Sequence, residues 1–192
     1  MSRSALFTRR TALAGAASLP LAAATAKAVR AAAPMMDAGS APYQRVKLGG
    51  FDVTTLLAGT RSVPDPQTIF GMNVDAETFN EVSAAAFIPT DAAQFFFTPT
   101  VVNTGAELIL FDTGLSGAGT TAALQAAGYT ADQIDVVVLT HMHGDHIGGL
   151  STDGARTFPN ARYVTGTTEF DAWSKTDNEG FADKVKPLAD EM

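Results

Sequence analysis

A chain of 192 residues with 46% hydrophobic residues can bury the core of one domain or at most two, which excludes a disordered polymer. It contains no cysteine, so a disulfide framework and a thiolate metal site are both excluded, and any metal must be held by nitrogen and oxygen. The formal charge of −7, with no basic stripe, argues against nucleic acid as a partner.

Residues 1–28 stand apart. Thr8, Arg9 and Arg10 precede a soft, alanine-rich apolar run over residues 11–26 that Lys27 closes. This reads as a twin-arginine-type signal peptide with cleavage expected after Ala26 or Ala28. A spanning helix needs roughly 20 strongly apolar residues, and this run is shorter and broken by Gly15 and Pro20. The expectation is a periplasmic or secreted protein with no stable membrane insertion after cleavage. Removing residues 1–28 takes away four basic residues and no acidic one, so the charge moves from −7 to −11.

Residues 29–42 are rich in Ala, Pro, Gly and Ser and read as a flexible lead-in, with the domain expected over residues 43–192. Residues 43–48 and 51–57 look like strands joined at Gly49-Gly50, a dipeptide suited to a tight hairpin. Pro64, Pro66 and Pro89 break the next stretch, within which residues 76–87 suit a helix. The triplet Phe95-Phe96-Phe97 reads as a strand or core segment rather than a substrate wall. Residues 100–103 and 107–111 read as two further strands, the second running directly into Asp112-Thr113-Gly114. Residues 120–127 suit a helix ended by Gly128, and Thr130 with Gln133 has capping-box spacing for a short helix. The unbroken apolar run in residues 135–140 reads as a buried strand.

All three histidines follow that strand, at His141, His143 and His146, with Asp145 among them. A rigid strand that delivers side chains to its rim, with a loop free to bend beyond it, is where α/β architectures put chemistry. In an extended segment alternate residues share a side, so His141 and His143 can grip one ion. The adjacency of Asp145 and His146 makes it hard for all four to bind that same ion, and favours a second metal nearby. Gly144, Gly148 and Gly149 are expected to let the loop turn tightly.

The run His-x-His-x-Asp-His, the strand before it and the Gly-Gly after it resemble the metallo-β-lactamase-fold hydrolases. The earlier Leu110-Phe111-Asp112-Thr113-Gly114 looks like that superfamily's other early motif, in which the Asp supports the site from behind. Ala126 to Tyr129, Phe158-Pro159-Asn160 and Phe170 to Trp173 look most like the exported methyl parathion hydrolase branch, which has relatives acting on lactones. The resemblance implies an α/β fold, the first half of an αββα sandwich. It implies a first metal on His141 and His143 and a second on Asp145 and His146, with Asp145 also counted as catalytic. It also implies two divalent metal ions, zinc by default, and a bridging hydroxide that hydrolyses an ester, lactone or phosphotriester as small-molecule substrate. Trp173 and Phe181 align with pocket aromatics of that branch, with core packing the alternative for both.

The family's later ligands, a third histidine, a bridging Asp and a last histidine, have no counterpart after His146. Residues 181–192 read as an unfinished helix. The expectation is therefore an N-terminal fragment that binds metal weakly and is poorly active by itself. An uncovered sheet face would favour self-association, including a homodimer. The alternatives are a metal-binding pseudo-enzyme, or a thioester hydrolase or β-lactamase of the same fold.

Overall fold

The computed structural model describes residues 42–192. The expected signal peptide at residues 1–28 and all but the last residue of the expected lead-in at 29–42 lie outside the described residues. Strands β1 (Tyr43–Leu48) and β2 (Phe51–Leu56) form the expected antiparallel hairpin, with Gly49 at φ 60 in the two-residue turn. β3 (Gly59–Pro64) follows, then α1 (Ala76–Ala85), whose first turn is capped by the Asp75 carboxylate accepting from Thr78 N at 2.8 Å. β4 (Ala92–Phe97) returns to pair antiparallel with β3.

Next come β5 (Thr100–Asn103), β6 (Leu108–Phe111) and α2 (Gly117–Ala126). The last begins three residues before the expected helix, because the Ser116 hydroxyl accepts from Gly119 N and stabilises an earlier first turn. Its end is as expected, with Gly128 at φ 85 and Tyr129 N donating back to Leu124 O. The Thr130 capping box closes only one 3-10 turn, Ala131–Gln133. β7 (Val136–Leu139) is the buried strand expected before the histidines, and α3 (Gly144–Ile147) is one helical turn immediately after His143. The chain continues through the short pair β8 (Ser151–Thr152) and β9 (Ala155–Arg156), then β10 (Arg162–Thr165), α4 (Thr167–Trp173) and α5 (Glu179–Lys184). The single helix expected over residues 181–192 is instead the end of α5 and a separate 3-10 stretch, Lys186–Glu191, since Pro187 has no N–H to continue the ladder.

The main sheet has the order β1-β2-β5-β6-β7-β10, antiparallel as far as β6 and parallel from β6 to β10. Residues directly opposite share a face, so the register draws one buried row across it: Thr54, Val101, Leu110, Val137 and Tyr163. Leu124 from α2, Phe181 from α5, and Ile147 and Leu150 after the histidines join this row in one core. Each such side chain contributes roughly 1.5–3 kcal/mol on burial. The opposite face carries Val46, Val53, Val102 and Ile109 in register, and Val46, Leu48, Phe51 and Val164 are exposed. Strands alternating with helices, and parallel pairing from β6 through β7 to β10, make the expected α/β class. Among the described residues no helix is long and apolar enough to cross a membrane.

Candidate metal centre

The site forms where two parallel strands end side by side. β6 and β7 are in register at Phe111 and Val138, so the residues just beyond them, Asp112 and Thr140, meet at the sheet's rim. Asp112 adopts φ 59, a left-handed conformation that Asp tolerates better than most residues. Its carboxylate turns toward the end of β7 and accepts from Thr140 N at 2.9 Å and from Thr140 Oγ1 at 2.8 Å. His146 Nδ1 lies 2.8 Å from the same Asp112 Oδ2.

These contacts determine which nitrogens are free. His146 can satisfy Asp112 only by donating its Nδ1 proton, which leaves the Nε2 lone pair exposed on the far side of the ring. Thr140 has a single hydroxyl proton and gives it to Asp112, so its oxygen accepts from His141 Nδ1 at 3.1 Å. His141 is thereby also left with a free Nε2. Asp112 is the terminal acceptor of both chains of bonds.

The free nitrogens face partners in two pairs. His141 Nε2 stands 3.1 Å from His143 Nδ1, and His146 Nε2 stands 3.4 Å from Asp145 Oδ2. Two ligands about 2.05 Å from one ion at a tetrahedral angle are separated by roughly 3.3 Å. Both pairs therefore have the span of a bidentate metal grip, and the nitrogen and carboxylate donors suit zinc, manganese, iron or cobalt. Among the described residues no group of three or more such side chains is gathered on one ion.

The loop is clamped from below. Thr113 is fully buried; its N–H and hydroxyl both donate to His146 O, at 2.8 and 2.7 Å, and its Oγ1 accepts from Gly149 N at 3.1 Å. Gly148 and Gly149 serve close approach rather than the tight turning expected of them. Neither has positive φ, and a Cβ at Gly149 would overlap Thr113 O while one at Gly148 would overlap Leu115 O. From above, Glu169 in α4 accepts from Met142 N at 3.0 Å, between the first two histidines. Nothing in the sequence pattern marks Glu169 for that role.

The two expected pocket aromatics part company. Trp173 meets the His143 ring edge-on, with centroids 5.7 Å apart at 83°. Phe181 is fully buried in the core against Phe170, so for this residue the alternative of core packing is the correct one. Phe95-Phe96-Phe97 is indeed a strand, β4, yet it also walls a cavity, contrary to the reading that set the two roles against each other. Phe95 and Phe97, two apart and so on one side of the strand, line a cavity of about 350 Å³ together with Val63 and Leu115, and Asp145 lies at its edge. A smaller cleft of about 180 Å³ joins Phe97 and Pro99 to Asp112, Asp145 and His146.

The fold is α/β and matches that of metallo-β-lactamase-fold proteins. The family model of the Metallo-beta-lactamase superfamily matches residues 98–174, the stretch that holds Asp112, the histidines and Trp173. Among solved structures, the chain is similar to the hydrolase AbOPH in the beta lactamase superfamily, at 28% identity and a TM-score of 0.63, over 80% of this chain and 54% of that one. It is similar in fold to AidC, a dizinc quorum-quenching lactonase, at 23% identity and a TM-score of 0.66, over 77% of this chain and 56% of that one. The same holds for a probable metal-dependent hydrolase from Staphylococcus aureus, at 20% identity and a TM-score of 0.59, over 76% of this chain and 59% of that one. A curated relative, the Anti-Pycsar protein Apyc1 of Paenibacillus sp. (strain J14), is 36% identical over 59 residues, 31% of this chain and 23% of that protein. The chain thus spans little more than half the length of these solved structures, and a smaller share of the curated relative.

Proposed function

We propose that this chain carries donors of a dinuclear metal-dependent hydrolase acting on an ester, lactone or phosphotriester. The observation that carries the reading is the pair of two-donor grips, His141 with His143 and Asp145 with His146, each near the span a single ion requires. Two divalent ions, zinc by default, would supply a water ionised near neutral pH and would polarise the substrate's carbonyl or phosphoryl oxygen. The chain's own residues do the rest. Asp112 and Thr140 hold His141 and His146 in the tautomers that expose Nε2, and Thr113 and Glu169 fix the backbone between the donors. Trp173 stands against the His143 ring and limits its rotation. Phe95 and Phe97 offer an apolar surface beside Asp145, which suits a substrate with a hydrophobic portion.

Calorimetric titration with zinc tests the two grips. Two binding events are expected, with His143→Ala removing one and Asp145→Ala the other. A single event lost in both variants would refute two separate sites. Hydrolysis of a panel of lactones, aryl esters and phosphotriesters, measured before and after chelation, tests the reaction.

A second reading, a metal-binding protein without hydrolytic activity, is favoured by one observation: among the described residues neither grip gathers a third donor. Zinc binding without turnover of any panel member would support it.

A further inference from the structure

The register of the β3–β4 hairpin puts a cation in an apolar wall. Arg61 is directly opposite Phe95, Gly59 opposite Phe97 and Val63 opposite Ala93, so these side chains share one face of the hairpin. That face is a wall of the 350 Å³ cavity, at the small end of the roughly 300–1,000 Å³ typical of small-ligand sites. Among the described residues, Arg61 and Asp145 are the only charged ones lining it. Among the described residues Arg61 makes no ion pair and no side-chain hydrogen bond, unlike Arg45, Arg156 and Arg162, which are all engaged.

A guanidinium in this position constrains the ligand. Arg61 is exposed on β3, so its guanidinium is solvated where it lines the cavity, and a purely apolar molecule seated beside it would displace part of that water and return no acceptor. A carboxylate replaces that water with two charge-assisted bonds in the fork geometry a guanidinium presents. Asp145, the other charged residue of the lining, repels the same anion in the metal-free chain, which favours the acid on Arg61 there.

We propose that Arg61 is a specificity-determining residue, and that the cavity takes an amphiphilic carboxylic acid derivative. Such a substrate has an apolar spacer against Phe95, Phe97 and Leu115, a free carboxylate on Arg61, and its ester or lactone group at the Asp145 end. The placement of the reacting group rests on the hydrolase reading above; the anion anchor does not.

The test uses octanoate and octan-1-ol, which share an apolar chain and differ in the head, titrated into the metal-free full chain in the presence of a chelator. Octanoate is expected to bind at least about tenfold more tightly than octanol, and Arg61→Leu to abolish the difference. Arg61→Lys, which keeps the charge but loses the fork, is expected to retain part of it and decides the matter if the leucine variant does not fold. Equal binding of the two probes to the wild-type chain, or octanoate binding indifferent to both substitutions, would overturn the proposal. Because binding is read without metal, a chain that holds octanoate through Arg61 but hydrolyses nothing upholds this inference and defeats the hydrolase reading. Hydrolysis with no such preference does the reverse.

Discussion

Asp112 Oδ2 and His146 Nδ1 lie 2.8 Å apart, although the two residues come from the ends of different strands. The contact fixes the ring's tautomer and faces Nε2 toward Asp145, so the upstream carboxylate acts on the metal grip without belonging to it. Asp112→Asn keeps the shape, but its amide can offer only one oxygen to the three donors the carboxylate serves. Zinc affinity should fall about 10- to 100-fold, as it does when supporting partners of metal ligands are removed. Isothermal calorimetry on the variant checks this, and affinity equal to the wild type would show that Asp112 does not orient the ring.

Close approach at Gly149 predicts a steep steric cost. Gly149→Ala forces a methyl group into Thr113 O and should destabilise the fold by about 3 kcal/mol, the upper part of the usual overpacking range. Gly144 has open space around its Cβ position, and Gly144→Ala should stay within about 0.5 kcal/mol of the wild type. Urea unfolding of both variants measures the contrast, and similar midpoints would refute it.

Trp173 is the only tryptophan, and it touches His143. Cobalt, an open-shell ion, should therefore quench the intrinsic fluorescence as the His141 and His143 grip fills. His143→Ala should abolish the quenching, whereas Trp173→Phe should remove the signal and leave calorimetric affinity within about threefold, since an edge contact to the ring supplies no ligand. Quenching that survives His143→Ala would place the metal elsewhere.

Alkaline pH should weaken the core through Tyr163. Its phenol is held above the usual tyrosine range, chiefly by burial, and the hydroxyl donates to Phe158 O at 3.0 Å. A raised folded-state value means that the phenol's contribution to stability is complete below the unfolded value of about 10 and is lost as pH rises through the folded value. Urea midpoints should fall with pH only above about 10, and Tyr163→Phe should flatten that fall while costing about 1 kcal/mol near neutrality from the lost hydrogen bond. An equally steep alkaline fall in the phenylalanine variant would assign it to other groups.

Much of this layout is legible in the residues because the signals are local. The run Val136 to Leu139 has no polar interruption and can only be a buried strand, Gly49 marks a hairpin, and three histidines in six positions mark a site. The β3–β4 hairpin is not legible in that way. Gly59 pairs with Phe97 across a proline-broken stretch, so neither strand's alternation says what it faces until the pairing is known. Phe181 and Trp173 show the same limit from the other side. Both are large aromatics well downstream of the histidines in sequence, and only packing separates the core residue Phe181 from Trp173, which meets His143. Glu169 is invisible for a simpler reason, since a carboxylate that accepts one distant backbone N–H has no spacing to betray it.

The four donors proposed for metal fall within six positions, which ties metal binding to the unfolded chain as well. A chain that has lost its sheet still holds His141, His143, Asp145 and His146 within six positions, so the denatured ensemble competes for the same ion. Stabilisation by a ligand depends on the difference between its affinities for the two states. Thermal melting with and without zinc should therefore report a smaller gain than the affinity of the native site alone would give. What the folded chain adds is the contribution of Asp112, recruited from 28 residues upstream of Thr140.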